Sequence, residues 1–419
     1  MQSLAEVGER FGTPVYVTDL AALRRSAAEL RQAFPDPWVR NFSVKANDVP
    51  AIIAAIGALG FGANVVSLGE WSLAMRAGLS NDRITLEGVG KSDADLQATV
   101  DAAKQGRPLR WIAVESAEEA AALVAMASQA RLREKQVRID ALLRLNPEVE
   151  PDTHAGLAVG SATSKFGLRE DEFAQAIEMG GGSSGPLCWR GVHLHVGSQL
   201  TGVRVWQDAV RRALAVFAGW HERLPDFNVL DVGGGFPVGP AGDALPAPAD
   251  FAEAFRAAFE TVPIDRRPAT LAIEPGRFLM ARAGWIVARV LHLREGRGPS
   301  GEPLAVIDAG MTELIRPALY GARHEIDALT SLGRPVSAGD PAPRRVTLVE
   351  GPICESTDRL GAHQLPPLVR GDLIAIVDAG AYASSMSSRY NGRPRPAEVL
   401  LEVGGRLRLG RARGVEEVG

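Results

Sequence analysis

The chain has 419 residues, 46% hydrophobic and 23% charged, with a net charge of −4. That length allows one barrel plus a second domain, and that composition belongs to a globular protein with a substantial core. The charge gives no electrostatic reason to expect a nucleic-acid partner, two cysteines (Cys188 and Cys354) cannot build a disulfide framework or a cysteine zinc site, and no apolar run approaches the roughly 18 residues of a membrane span.

The segment Met1 to Gly12 has no basic stretch followed by an apolar run, so it does not read as a signal peptide. With reduced thiols, a soluble cytoplasmic protein is expected. From there short apolar runs alternate with Ala-rich stretches of helical periodicity. Eight runs are legible: Val39–Val44, Phe61–Val66, Arg83–Leu86, Arg110–Val114, Ile139–Leu145, Gly191–Val196, Asn228–Val232 and Thr270–Glu274. Pro50–Leu59, Leu68–Ala77 and Ala117–Ala130 are helices between them. Strict alternation implies a parallel sheet, and eight repeats over about 250 residues imply a (β/α)8 TIM barrel. After Ala281 the segments Trp285–Leu293, Leu304–Asp308, Arg345–Glu350 and Leu373–Asp378 are β-like and separated by Gly, Pro and Asp turns. The expected organisation is a barrel over 19–280, with 1–18 and 281–419 forming a second, mostly antiparallel β domain.

Barrel enzymes carry their chemistry at the C-terminal ends of the strands. The first run ends in Ser43-Val44-Lys45, which places a lysine at the barrel mouth, where partial desolvation favours a nucleophilic amine. The sixth ends in His193-Leu194-His195-Val196-Gly197-Ser198. Alternation points both histidines to one face, but no carboxylate or cysteine lies beside them in sequence, so no metal is expected. An imidazole packed on a flat ligand suits His195, and a hydrogen-bonded core histidine suits His193. The seventh run ends in Gly233-Gly234-Gly235, whose backbone can turn amides toward an anion, at the usual position of a barrel phosphate site. The eighth ends in Glu274-Pro275-Gly276-Arg277, a carboxylate for a protonated ring nitrogen and an arginine for a phosphate or carboxylate.

A lysine, an anion cradle, a carboxylate and an imidazole on one rim are what pyridoxal phosphate requires: a Schiff-base lysine, a phosphate anchor and a pyridinium partner. A glutamate partner keeps the ring an electron sink and favours carbanion chemistry. In the second domain Arg316 can clamp a substrate carboxylate, Glu355 can bind an amine, and Cys354 can return a proton.

Taken together, these motifs resemble the diaminopimelate decarboxylase family, in the alanine-racemase/ornithine-decarboxylase group of pyridoxal enzymes. The resemblance runs almost end to end, through FSVKAN (42–47), VVSLGE (65–70), GVGKSDADL (88–96), RLNPEVEPDTH (144–154), HLHVGSQL (193–200), LDVGGGFP (230–237), EPGR (274–277), DAGMTELIRPALYGARH (308–324), GPICESTD (351–358) and DAGAYASSMSSRYN (378–391). It implies that Lys45 carries the cofactor, that His195 stacks on its ring, that Gly233 to Gly235 and Ser198 hold its phosphate, and that Glu274 faces its nitrogen. It also implies that Arg277, Arg316, Tyr320, Glu355 and Tyr382 bind substrate, with Tyr382 also near the phosphate, and that Cys354 donates a proton. It implies an obligate homodimer, with the Cys-Glu pair crossing from the partner into a shared site. The chain departs from the family pattern Gly-Ala-Asp-Val-Val-Ser-Gly-Gly-Glu at Asn64 and Leu68, and again at Phe278 and Arg282. Such drift allows a related decarboxylase for another amino acid. A racemase or a non-catalytic pyridoxal-binding protein fits the motifs less well.

Overall fold

A computed structural model describes residues 2–150, 153–161, 163–240, 242–336 and 343–414. Pro151 and Asp152, inside the RLNPEVEPDTH motif, lie outside the described residues. The chain divides into two compact units, one of Met1–Ser26, Gly239–Asp243 and Leu279–Gly419, the other of Ala27–Val238 and Ala244–Phe278. Among the described residues no helix is long and apolar enough to cross a membrane.

The first unit begins with the helix Gln2–Phe11 and strand β1 (Val15–Asp19). The second unit holds the eight strands that the sequence predicts: β2 (Val39–Ser43), β3 (Gly62–Val65), β4 (Ile84–Leu86), β5 (Trp111–Val114), β6 (Ile139–Leu145), β7 (Leu187–Leu194), β8 (Val229–Asp231) and β9 (Thr270–Ile273). They are parallel, pair in sequence order, and close when β2 pairs with β9. Every residue of β4, β5 and β8 is buried, as a parallel sheet covered on both faces demands. Trp111, Leu142, Val229 and Ala272 fill one level of the interior, so the barrel is a packed core rather than a pore.

Local chemistry starts the helices where the strands end. Ser67 caps Leu68–Arg76 by accepting from the Glu70 amide, Ser116 caps Ala117–Gln129 by accepting from Glu119, and Ser92 with Asp95 forms a reciprocal capping box on Asp93–Lys104. Boundaries otherwise shift by a residue or two, except at β7. It starts at Leu187, four residues before the predicted Gly191, and stops at Leu194, leaving His195 and Val196 beyond its end. Gly191 is not a break. It sits at a register shift between β6 and β7, where a Cβ would lie 1.8 Å from the Val229 carbonyl, so only glycine lets the strand continue.

The first unit completes its sheet with β10 (Gly284–Arg294), β11 (Leu304–Ile307), β12 (Ile326–Ala328), β13 (Thr330–Ser331), β14 (Arg334–Pro335), β15 (Arg345–Glu350), β16 (Arg359–Leu365), β17 (Leu373–Ile376), β18 (Ala397–Leu401) and β19 (Leu407–Arg411). The main path runs β16-β15-β11-β10-β1-β18-β19, with β17 on β10, β12 on β17, and β13 and β14 as a separate ribbon. It is mostly antiparallel, as the turn-rich sequence predicts, but β1 with β18 and β11 with β15 run parallel. Alternation builds two cores. Tyr16, Ile286 and Ala288 face one cluster, while Val15, Val17 and Val287 face another with Leu4 and Val7 of the first helix.

Candidate active site

The mouth of the barrel collects the polar side chains of the second unit. Lys45 follows β2 in a single 3₁₀ turn, Val44–Ala46, and is half-buried. The turn is held from the opposite end of the chain of strands, because Ser43 donates its hydroxyl to the Glu274 carbonyl at 3.0 Å and its amide to the Pro275 carbonyl at 3.2 Å. Closing the barrel therefore brings the lysine segment beside EPGR.

Glu274 is 3% exposed, so it is not part of a surface salt bridge. Its Oε2 lies 3.4 Å from His193 Nε2, and its Oε1 is buried with no hydrogen-bond partner among the described residues. His193 Nε2 also lies 3.2 Å from Glu87 Oε2, and Asn64 donates to that same oxygen at 2.8 Å. The sequence showed no carboxylate beside the histidines, because Glu87 and Glu274 come from the ends of β4 and β9. One ligand atom from each of Glu87, His193 and Glu274 lies within 4.8 Å of the others. Burial holds the His193 imidazole down at about 4 despite the nearby Glu87, and pushes Glu87 up to about 8 with help from Glu274. Asp231, at the end of β8, is pushed well above the usual carboxylate range by burial and by the charges of Glu274 and Glu87.

The glycine turn after β8 is wired inward. The Gly233 amide donates to Asp231 Oδ1 at 2.9 Å and the Gly234 amide donates to His195 Nδ1 at 3.2 Å. A Cβ on Gly234 would lie 2.5 Å from the Glu274 carbonyl, so the turn tolerates no side chain there. Two of the three amides therefore fix the turn and the histidine. Because His195 Nδ1 accepts, its ring carries its proton on Nε2. Burial, with the Lys45 charge added, pushes this imidazole well below its ordinary range, so it is a neutral ring. Ser198 is reached by Arg277, whose Nε and Nη2 donate to its hydroxyl at 3.2 and 2.9 Å. This pair joins the ends of β7 and β9 next to the glycine turn and supplies fixed positive charge.

Sequence reasoning missed three residues of this rim. Glu87 is one. The others are Arg144 and Glu115, a buried pair at 2.6 Å, with Arg144 set 4.8 Å above the Phe166 ring and Glu115 accepting from the Gly167 amide at 3.2 Å. Arg144 opens the RLNPEVEPDTH motif that was visible in the sequence, but its partnership across strands with Glu115 was not.

In the first unit Arg316 is 9% exposed, and its Nη1 lies 3.0 Å from His324 Nε2. His324 Nδ1 lies 2.9 Å from the Val377 carbonyl, so it donates there and accepts the guanidinium proton on its other nitrogen. Tyr320 closes the helix Arg316–Tyr320, and Tyr382 adopts a left-handed backbone at φ 56°. Cys354 and Glu355 are exposed, so Cys354 is not a buried core residue, and Tyr390 donates its hydroxyl to Glu355 at 2.7 Å. Their loop is fixed by Asp358, whose carboxylate accepts from the amides of Met311 and Ile353 at 2.6 and 2.8 Å. The departures from the family pattern are dispersed: Asn64 is buried on β3, Leu68 is half-buried at a helix start with its amide on Asp95, Phe278 is buried and Arg282 exposed.

The buried, unsatisfied Glu274 Oε1 needs a donor, and a protonated ring nitrogen is one. A parallel barrel with such a carboxylate, a lysine one strand away, and a glycine turn flanked by Ser198 and Arg277 suits a pyridoxal-phosphate enzyme. Residues 20–281 match the family described as pyridoxal-dependent decarboxylase, pyridoxal binding domain. The chain is 35% identical over 410 residues to a diaminopimelate decarboxylase of Aquifex aeolicus, covering 96% of this chain and 90% of that one. It is 35% identical to that of Pseudomonas aeruginosa, again covering 96% and 90%. Among solved structures, diaminopimelate decarboxylase of Helicobacter pylori complexed with L-lysine superposes with a TM-score of 0.85 at 28% identity, covering 98% of this chain and 96% of that one. The chain belongs to the pyridoxal-dependent decarboxylase family, and it is a carboxy-lyase that uses pyridoxal phosphate.

Proposed function

We propose that the substrate is meso-diaminopimelate and the products L-lysine and carbon dioxide. The similarity to diaminopimelate decarboxylases over 96% of the chain carries this reading. Bound through its aldehyde, pyridoxal phosphate withdraws electrons from the carbon that loses its carboxylate. Lys45 would attach that aldehyde, His195 would pack on the ring as a neutral imidazole, and Glu274 would hold the ring nitrogen protonated. Ser198, Arg277 and the turn Gly233–Gly234–Gly235 would hold the phosphate, with a contribution from Tyr382. Arg277, Arg316, Tyr320, Glu355 and Tyr382 bind the substrate, and Cys354 returns the proton. The barrel of 19–280 carries the cofactor, and 1–18 with 281–419 supply substrate and dimer contacts. The compartment is the cytoplasm.

A panel of meso-diaminopimelate, lysine, ornithine and arginine, read by carbon dioxide release, tests the substrate. A site built for a distal charged group rejects analogues lacking it by about 10⁴-fold. Release fastest from a substrate without a distal carboxylate would sink this reading. The related decarboxylase for another amino acid, favoured by Asn64, Leu68, Phe278 and Arg282, would replace it.

The assembly we propose is a homodimer in which Cys354 and Glu355 act on the partner's cofactor, since both are exposed on a loop locked by Asp358. Mixing inactive Lys45→Ala with inactive Cys354→Ala chains is expected to restore activity through mixed dimers holding one intact site. No recovery after demonstrated subunit exchange would place the whole site in one chain.

A further inference from the structure

Three carboxyl groups, Glu87, Glu274 and Asp231, share one dry pocket with His193 at the ends of β4, β9, β8 and β7. His193 Nε2 faces two of them, Glu87 Oε2 at 3.2 Å and Glu274 Oε2 at 3.4 Å. One N–H cannot satisfy two carboxylates, so a second proton belongs in the cluster. Other charged groups face it from the remaining elements. Arg144 on β6 is engaged by Glu115 after β5, and Lys45 follows β2. Asp231 takes the Gly233 amide, but burial and the charges of Glu274 and Glu87 outweigh that bond and hold it well above the usual carboxylate range. Of the two carboxyls that share His193, Glu87 has the weaker claim to a charge. Among the described residues its Oε2 takes, besides His193, the neutral Asn64 amide on β3, and its Oε1 is buried without a partner. An amide stands at 64 where the family pattern has an acid, and the acid stands one strand over, within 2.8 Å.

We propose that Glu87 is a positioning residue. It holds a proton as a neutral acid beside His193 and so keeps Glu274 as the single negative charge aimed at the cofactor's ring nitrogen. This rests on the reading of Glu274 given above. Two carboxylates in contact cannot both ionise cheaply, and the one carrying the proton becomes a donor that orients the other. Glu87 then acts through Glu274 without touching the cofactor.

The test is Glu87→Gln, which keeps the size and hydrogen bonds of a neutral acid and cannot ionise. At pH 7 the holoenzyme variant should bind pyridoxal phosphate within about threefold of wild type, whereas Glu87→Leu, which strips the cluster of a partner, should bind about tenfold or more weakly. The wild-type cofactor spectrum should change with pH around the Glu87 titration, at about 8, and the Gln variant should lack that transition. Thermal unfolding of the holoenzymes gives a second readout. A carboxyl whose folded pKa is raised loses stability as pH climbs from its unfolded value to its folded one. The Tm of Glu87→Gln should therefore rise relative to wild type between pH 5 and pH 8. A Gln variant that fails to fold, binds cofactor as weakly as Glu87→Leu, retains the spectral transition, or gains nothing between those pH values overturns the proposal. Glu274→Gln separates this from the underlying reading: if that variant keeps wild-type cofactor affinity and spectrum, Glu274 is not the ring-nitrogen partner, whatever Glu87 does.

Discussion

Replacing Lys45 with alanine is expected to abolish covalent cofactor attachment and to lower kcat/KM by about 10⁴-fold or more, the scale seen when a covalent catalytic group is deleted. The chain has only five lysines, Lys45, Lys91, Lys104, Lys135 and Lys165. The Lys91 side chain is buried and committed, 3.0 Å from Glu119 and 2.6 Å from the Gly88 carbonyl. Lys104, Lys135 and Lys165 are exposed. Lys45 stands at the mouth, half-buried, where its charge acts on His193, His195 and Glu70. Borohydride reduction followed by peptide mass analysis should tag Lys45 in the wild type and nothing in the variant. A tag on any of the other four would overturn the placement of the site.

Arg316→Met is expected to lower kcat/KM for meso-diaminopimelate about 100-fold or more while the cofactor dissociation constant stays at its wild-type value. Removing one partner of a buried charge pair costs roughly 3–5 kcal/mol, and each 1.4 kcal/mol is tenfold in rate. Arg316 is suited to such a pair because its guanidinium is held in advance. His324 accepts from it at 3.0 Å and is itself fixed on the Val377 carbonyl at 2.9 Å, so little side-chain freedom remains to be lost when a carboxylate arrives. Steady-state kinetics beside cofactor titration checks this. A parallel loss of cofactor affinity would make Arg316 a structural residue instead.

The barrel was legible because parallel strands buried on both faces read as apolar runs, such as WIAV at 111–114 and ITL at 84–86, with amphipathic helices between them. Errors fell where one glycine had two meanings. Gly191 reads as the start of a run, yet it is a bulge within a longer strand, and only the closeness of the Val229 carbonyl shows which. The glycine turn after β8 was found by its position, but its wiring was not. That the Gly233 and Gly234 amides serve Asp231 and His195 depends on β7 and β8 lying side by side.

By itself the sequence determined the alternation that makes a barrel, the residue type at each strand end, and through them the cofactor class. These are local properties, written in periods of 2 and 3.6 residues and in single positions after each strand. Only the tertiary structure decided which of those groups meet. Glu87 sits 106 residues before His193, and Glu274 lies 81 beyond it, yet their atoms converge on one imidazole nitrogen. No pattern along the chain encodes that contact, because it arises when eight strands close and aim alternate side chains at one axis. The protonation of those groups follows from the same closure. Burial, which raises Glu87 and lowers His193, and the repulsion from Glu274 that raises Glu87 further exist only once the barrel has excluded water.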